Sequence, residues 1–361
     1  MSSLLLSGIS SLQELGSPVI VSGPCSAESR AQVLTTAKQL KDAGIKIFRA
    51  GLWKPRTFPG SFQGVGEAGL EWLAEVKRET DMLIATEVAT PVHVQLALEA
   101  GVDILWIGAR TVANPFAVQE IATILEGHTG VCVMVKNPVN PDIDLWIGAL
   151  QRLYNSGVRR LAAIHRGFST YGRYIYRNSP QWNIPIELHR QIPHLPLLCD
   201  PSHIGGKREF IPTLSQWALD MGFNGLFIES HCNPNEALSD KEQQVTPEVL
   251  KNILNKLIIR DKSQTSTELH LLRERINQCD ADLLEVLSRR MNISREIGVF
   301  KKEHHLQVVQ TSRYDTILKS MISQASKLDM SEDFIKKIMS AVHEESVRQQ
   351  IHILNNGENS K

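Results

Sequence analysis

Eight short polar clusters hold most of the side chains in this sequence that are able to ligate an ion, move a proton or hold an anion. They are GPCSAE (23–28), RAGLWKPRT (49–57), TEV (86–88), GAR (108–110), KNP (136–138), HRG (165–167), DPSHIGG (200–206) and ESH (229–231). Arginine and lysine recur among them, the first suited to planar, two-pronged recognition of carboxylate and phosphate, the second acting as a point charge. Cysteine, histidine and carboxylates stand beside those cations, so the set combines anion binding with donors for an ion or a proton.

Each cluster follows directly on a short apolar run. The runs are 19–22, 47–49, 83–86, 104–107, 131–135, 161–164, 197–199 and 225–228. Such runs, rich in β-branched residues and separated by amphipathic stretches, mark buried parallel strands alternating with helices. Eight βα units in succession predict an α/β fold, a (β/α)8 TIM barrel, over residues 1–260. Every cluster then sits at the carboxyl end of its strand, the face on which barrel enzymes assemble their active sites.

After the eighth run Thr246–Pro247 starts a helix, with proline in its permitted first turn and an end expected near Arg260. Residues 261–267 (DKSQTST) read as a linker. From 268 to 361 no strand signal remains. Leu269, Leu272, Ile276, Cys279, Leu283 and Leu287 alternate steps of three and four, predicting a first helix as far as Lys302. Two further helices are expected over 311–327 and 332–354. A separate all-α three-helix domain of this kind cannot bury so long a stripe alone, and a partner subunit is expected to cover it.

The bulk properties fit two domains in 361 residues. Lysine plus arginine (39) equals aspartate plus glutamate (39), which argues against nucleic acid or an anionic membrane as partner. The cysteines, Cys25, Cys132, Cys199, Cys232 and Cys279, are odd in number and lack CxxC spacing, which points to a reducing compartment, the cytoplasm. The start carries no signal-peptide pattern, and no stretch reaches the roughly 20 apolar residues of a membrane span. Eighteen residues precede the first run, so any regulation is expected to come from the helical half rather than from an added N-terminal domain.

GPCSAE, KPRT followed by SFQG, IGAR, DPSHIGG and the late Ser239–Asp240 pair, in that order, resemble the 3-deoxy-D-arabino-heptulosonate 7-phosphate (DAHP) synthases. The subclass is the one close to the 3-deoxy-octulosonate 8-phosphate synthases. The resemblance covers essentially the whole barrel. It implies one divalent ion (manganese, iron, cobalt or zinc) held by Cys25, His203, Glu229 and Asp240, a set of mixed softness that suits such metals. It also implies that Arg49, Lys54, Arg110, Lys136 and Arg166 hold phosphoenolpyruvate. Arg56 and Thr57 of KPRT would grip the phosphate of erythrose 4-phosphate, whereas the octulosonate enzymes carry an asparagine-bearing motif there for arabinose 5-phosphate. C3 of phosphoenolpyruvate then attacks the aldehyde, water adds at C2 and phosphate leaves, with Lys54 or His203 relaying a proton. His165 stands where relatives commonly have glutamate, so no acid–base role is carried over to that position.

LLRERINQCD, SRRMNISREIGVFKK, QTSRYD and EESVRQQ resemble the all-helical chorismate mutases over about the last ninety residues. Carried over, the chorismate-binding positions are Arg273, Arg290, Lys301, Gln310, Arg313, Ser346 and Gln350, with Arg290, Lys301 and Gln350 nearest the reaction. No cofactor is implied: the rearrangement to prephenate needs the folded conformer held and charge on the breaking ether bond stabilised. At about 100° per residue Arg290 and Lys301 return to nearly one helix face, while Arg273 points away, toward a neighbouring subunit's site in a homodimer. Tyr314 and Gln310 depart from the family pattern of glutamate and aspartate, and either departure bears on activity. The alternative reading makes the helical half a non-catalytic, prephenate-sensing dimerisation module. Feedback by prephenate on the barrel reaction is expected under either reading.

Overall fold

The structure is a computed structural model that describes residues 17–55, 60–171, 175–260, 267–309 and 311–355. The strands are β1 (Val19–Gly23), β2 (Ile47–Arg49), β3 (Leu83–Val88), β4 (Ile104–Ile107), β5 (Cys132–Lys136), β6 (Arg160–His165), β7 (Leu197–Cys199) and β8 (Gly225–Glu229). Between and after them run α1 (Arg30–Asp42), α2 (Ala68–Thr80), α3 (Pro91–Glu99), α4 (Ala109–Val112), α5 (Pro115–Ile124), α6 (Ile143–Asn155), α7 (Asn183–Gln191), α8 (Pro201–Gly205), α9 (Ile211–Asp220) and α10 (Pro247–Lys256). The strands close into a parallel barrel in chain order, β8 pairing with β1. The expected barrel is therefore present, although α10 ends at Lys256, short of Arg260.

Neighbouring side chains on a strand face opposite ways. Leu105, Ile107, Val133, Leu161 and Ala163 point outward into the core beneath the helices. Ile47, Trp106, Met134, Ile164 and Phe227 point inward and fill the barrel. Trp106 and Phe227 meet edge to face, ring centres 5.3 Å apart. Continuing the alternation upward, the last inward positions are Arg49, Glu87, Gly108, Lys136, Arg166, Asp200 and Glu229, a polar layer above the apolar one. The helices are aimed by short caps: Thr90, Asn114, Asp142 and Thr246 each accept a backbone N–H, with proline in the first turn of α3, α5 and α10. At the top of β1, Gly23 holds φ +152°, and a Cβ there would come within 2.0 Å of the Arg49 carbonyl oxygen, so the β1–β2 approach at the mouth requires glycine.

The chain divides into two compact units, Met1–Lys262 and Ser263–Lys361. In the second, α11 (Thr267–Glu303), α12 (Thr311–Ala325) and α13 (Glu332–Asn355) are the three expected helices. α11, at 37 residues, spans roughly 55 Å. α13 packs on its C-terminal half, where Gly298 lets the two backbones approach: a Cβ there would lie 3.3 Å from Gln350 Cα. Leu272, Ile276 and Leu283 of the stripe are 47, 59 and 55% exposed, so this chain alone does not cover them. Among the described residues no helix is long and apolar enough to cross a membrane.

His165 closes β6 on its outward side, turned away from the barrel mouth and fully buried among Trp146, Phe168, Trp182 and Phe223. The position is a packing site. Burial pushes the imidazole pKa down to about 3; the Pro180 backbone offers at most a poorly formed partner, and neither ring nitrogen makes a well-formed hydrogen bond. Between the ordinary value of 6.5 and about 3 the unfolded chain therefore binds a proton that the folded chain refuses. Stability present above pH 6.5 is lost as pH falls through this window, at about 1.4 kcal/mol per unit. Urea unfolding of the barrel at pH 7 and pH 5 is expected to show a smaller loss for His165→Phe than for the parent, by about 2 kcal/mol. Equal losses in the two proteins would contradict the assignment; comparing the two pH values cancels any fixed packing cost of the phenylalanine.

Candidate active site

Above the Trp106–Phe227 layer lies a cavity of about 310 Å3 lined by Cys25, Lys54, Glu87, Arg110, Lys136, Arg166, Arg177, His203 and Asp240, among others. A larger groove of about 620 Å3 runs between α9 and α10 on the barrel's outside, but its lining (Trp217, Val249, Leu257 and neighbours) gathers no ring of cations. The barrel mouth is where the chemistry converges.

Arg49 enters from the end of β2 and is 1% exposed, its guanidinium 4.7 Å from the ring centres of both Trp106 and Phe227. One nitrogen donates to the Cys25 carbonyl at 3.1 Å and stands 3.4 Å from Glu229 Oε1. Among the described residues Nε and Nη1 have no hydrogen-bond partner, and buried donors left in that state call for an anion. Lys136, ending β5, lies 5.1 Å above Phe227 and pairs with Asp200 Oδ2 at 2.8 Å. Asp200 caps α8 by accepting the His203 N–H at 3.0 Å. Although burial opposes its ionisation, His203 and Lys136 hold this carboxyl well below the ordinary range.

Arg166 is fixed by two asparagines. Its backbone N–H donates to Asn137 Oδ1 at 2.7 Å and its guanidinium to Asn178 Oδ1 at 2.7 Å. Burial lowers its pKa to about 10, still leaving it charged at neutral pH. Lys54 Nζ stands 3.9 Å from Glu87 Oε2. Two glycines clear the space: a Cβ on Gly51 would come within 2.5 Å of Lys54 Nζ, and one on Gly108 within 2.1 Å of Glu87 Oε1. Arg110 lines the same cavity from α4. Arg56 and Thr57 lie outside the described residues.

The four expected metal ligands all reach this region, but not equivalently. Sγ of Cys25 and carboxylate oxygens of Glu229 and Asp240 all lie within 4.8 Å of one another, with Sγ 3.5 Å from Asp240 Oδ2. His203 does not join that cluster: its Nδ1 is 2.8 Å from Asp200 Oδ2, without hydrogen-bond alignment, and 3.8 Å from Glu229 Oε1. Burial lowers the His203 pKa against the pull of Asp200, favouring the neutral ring a metal requires. Burial, and then the charge of Glu229, pushes the Cys25 thiol up to about 12. Burial resists ionisation of Glu229, yet His203 and Arg49 outweigh it and keep the pKa low. Its Oε1 is a buried acceptor without a hydrogen-bond partner. A thiol, a carboxylate with an orphaned oxygen and a second carboxylate fit a divalent ion.

In the helical unit the structure joins four of the expected positions. Arg290 donates to Ser346 Oγ; Lys301 Nζ donates to Gln350 Oε1 at 3.1 Å and to the Val308 carbonyl at 2.6 Å. Gln350 Nε2 donates to Ser294 Oγ at 3.1 Å, which ties in a residue the motif comparison passed over. Lys301 is 8% exposed and the partners just named are neutral; burial lowers its pKa. Arg273 is exposed and does not join the group within this chain. Gln310 lies outside the described residues, and Arg313 falls in α12 without a described side chain. Tyr314 packs on His343 of α13, ring centres 4.3 Å apart.

Sequence reasoning missed Glu87, Asp200, Asn137, Asn178, Arg177 and Gln243 at the barrel mouth. Glu87 and Asp200 were recoverable, because each is the next inward residue after Ala85 and Leu198. The others sit on loops where no period applies.

Comparison with known proteins agrees with this geometry. Residues 14–265 match the DAHP synthetase I family, and residues 272–351 match chorismate mutase type II. A phospho-2-dehydro-3-deoxyheptonate aldolase of Thermotoga maritima is 34% identical over 238 residues, covering 66% of this chain and 68% of that protein. A 2-dehydro-3-deoxyphosphooctonate aldolase of Francisella tularensis is 31% identical over 277 residues, covering 69% and 94%. The crystal structure of the Thermotoga maritima DAHP synthase superposes with a TM-score of 0.60 at 32% identity, covering 66% of this chain and 67% of that one. With a barrel, a cation-lined mouth and these relatives in agreement, the chain belongs to the DAHP synthetase I family and carries a chorismate mutase type II module after its barrel.

Proposed function

We propose that residues 1–260 condense phosphoenolpyruvate with erythrose 4-phosphate to DAHP and phosphate, and that residues 268–361 rearrange chorismate to prephenate, with 261–267 as the linker. Both reactions belong to the shikimate route to aromatic amino acids. The observation that carries the first is the convergence of Lys54, Arg110, Lys136 and Arg166 on one cavity of about 310 Å3, beside the Cys25–Glu229–Asp240 cluster and the buried Arg49, which stands 3.4 Å from Glu229.

The buried, half-partnered guanidinium of Arg49 and the fixed one of Arg166 suit the carboxylate and phosphate of phosphoenolpyruvate, with Lys136 and Arg110 completing the charge balance. Arg56 and Thr57 take the sugar phosphate; the KPRT motif supports the four-carbon substrate. C3 of phosphoenolpyruvate bonds to the aldehyde carbon, and Lys54 delivers a proton to the oxygen that becomes a hydroxyl. Water adds at C2, and the C2–O bond to phosphate breaks as the ketone forms. Cys25, His203, Glu229 and Asp240 hold the divalent ion, which when bound supplies Lewis acidity toward the aldehyde carbonyl.

In the helical unit Arg290 and Arg313 clamp the carboxylates of chorismate, with Gln310 and Ser346 completing the pocket, while Lys301 and Gln350 face the ether oxygen. The buried ammonium of Lys301 supports an anionic ligand between α11 and α13, since the described partners leave its charge uncompensated until an anion binds. The exposed Leu272, Ile276 and Leu283 support a homodimer through α11, with Arg273 serving the partner's site. Prephenate is the assigned feedback effector of the barrel reaction. The cysteines Cys25, Cys132, Cys199, Cys232 and Cys279 are all free, in keeping with the cytoplasm.

Three outcomes test this. Chelation is expected to abolish phosphate release from phosphoenolpyruvate plus erythrose 4-phosphate, and added Mn2+, Fe2+, Co2+ or Zn2+ to restore it; restored turnover that prefers arabinose 5-phosphate would reassign the barrel to the octulosonate reaction. Lys301→Met is expected to slow chorismate decay, followed by absorbance, by about 100-fold or more, whereas a parent chain no faster than buffer would leave the helical unit as a sensor. Sedimentation of Ile276→Glu/Leu283→Glu is expected to show a smaller species than the parent and loss of mutase turnover, and an unchanged assembly would remove the dimer from α11.

A further inference from the structure

Arg177 and Gln243 stand beside the metal cluster without belonging either to it or to the ring of cations that receives phosphoenolpyruvate. Arg177 lies on the segment after β6. Its backbone N–H donates to the Gly205 carbonyl at 3.3 Å, and that of Asn178 to Ile204 at 3.1 Å, which fastens the segment to α8. Gly206, at φ +72°, makes room for it: a Cβ there would come within 2.5 Å of the Arg177 Cβ. Held this way, the guanidinium donates to Asp240 Oδ1 at 3.0 Å and to Gln243 Oε1 at 2.7 Å.

Gln243 is 1% exposed and passes the link onward, its Nε2 donating to Glu229 Oε2 at 2.7 Å. The amide has one workable orientation. Turned over, its NH2 would face the Arg177 donors and its oxygen would face a carboxylate. Arg177 and Gln243 thus occupy one oxygen on each carboxylate. The other two oxygens are left for the cluster: Asp240 Oδ2 lies 3.5 Å from Cys25 Sγ, and Glu229 Oε1 is buried without a hydrogen-bond partner.

We infer that Arg177 and Gln243 form a bracket that fixes Asp240 and Glu229 as one-oxygen ligands of the ion at the barrel mouth. They are positioning residues, acting through the two carboxylates. The inference rests on the metal reading given above and adds to it how ligand geometry is set. With the bracket gone, either carboxylate is free to rotate or to offer both oxygens, so the ion is held less tightly and in a different coordination. Folding is little affected by the Arg177–Asp240 pair, because the arginine side chain is 47% exposed and such pairs add little to stability.

The test is a Mn2+ titration of the full chain, reading free Mn2+ by electron paramagnetic resonance, alongside the visible spectrum of the Co2+-loaded protein. The parent is expected to bind one ion per chain, and Cys25→Ala to weaken that binding. Arg177→Met and Gln243→Leu are expected to raise the Kd for Mn2+ roughly ten- to hundred-fold. The thermal midpoint of metal-free Arg177→Met should stay in place, and in both variants the Co2+ d–d bands should change while the sulfur-to-cobalt charge-transfer band persists. Arg177→Lys, which keeps the charge but not the planar, longer-reaching guanidinium, is expected to recover part of the affinity. Parent-like affinity and spectra in both Arg177→Met and Gln243→Leu overturn the bracket. A parent chain that binds no stoichiometric ion, or binding indifferent to Cys25→Ala, overturns the metal reading, and the bracket falls with it.

Discussion

Charge taken out of water above the Trp106–Phe227 layer has to be met by opposite charge, and that requirement organises the barrel mouth. Arg49, Lys136, Asp200 and Glu229 are each at most about 5% exposed. In such a setting an unmatched ion costs several kcal/mol, so each carboxylate is set against a cation or a histidine. Lys136 pairs with Asp200, and Arg49 stands near Glu229. What these pairs leave over is informative: guanidinium N–H groups on Arg49 without acceptors, and an oxygen on Glu229 without a donor. The first is a demand for an anion and the second for a cation. A substrate carrying carboxylate and phosphate, together with a divalent ion, meets both at once.

The same logic runs through the helical unit with different materials. Its buried positions include polar and small residues, Ser294, Gly298, Lys301, Ser346 and Gln350, gathered between α11 and α13, while much of the apolar stripe of α11 faces outward. A helix pair built this way is polar on its inner face and apolar on its outer one. Lys301, held by a carbonyl and an amide oxygen, keeps its charge in reserve for an anion. No nucleophile or metal is required for a unimolecular rearrangement.

Much of the fold and part of the site could be read from the residue order. Eight apolar runs at regular intervals give the barrel, because parallel strands buried on both faces leave a continuous apolar signature. Strand periodicity alone carries Arg49 and Lys136 to the barrel mouth, and by the same reasoning would have carried Glu87 and Asp200 there. Helix periodicity brought Arg290 and Lys301 to one face. The alternation of three and four along α11 likewise foretold an apolar stripe too long for one chain to cover. These are short-range properties, fixed by the geometry of a single strand or helix.

Long-range pairing was decided by the tertiary structure. Cys25 and Asp240 are 215 residues apart, yet Sγ and Oδ2 come within 3.5 Å because barrel closure sets β8 beside β1. His203 lies outside the Cys25–Glu229–Asp240 cluster, its Nδ1 facing the Asp200 that caps its helix, an arrangement that leaves Nε2 as the nitrogen to ligate an ion. His165 precedes Arg166, and strand alternation turns it outward under the helices, where it is a core residue. Arg177 and Gln243 carry no sequence signal, since both lie on loops whose path depends on what they touch. The sequence by itself determined which residues lie on which element and which way each strand residue faces, because those follow from local backbone geometry. Which loops meet over the barrel, and so which oxygens remain open to an ion, was decided only when the eighth strand closed on the first.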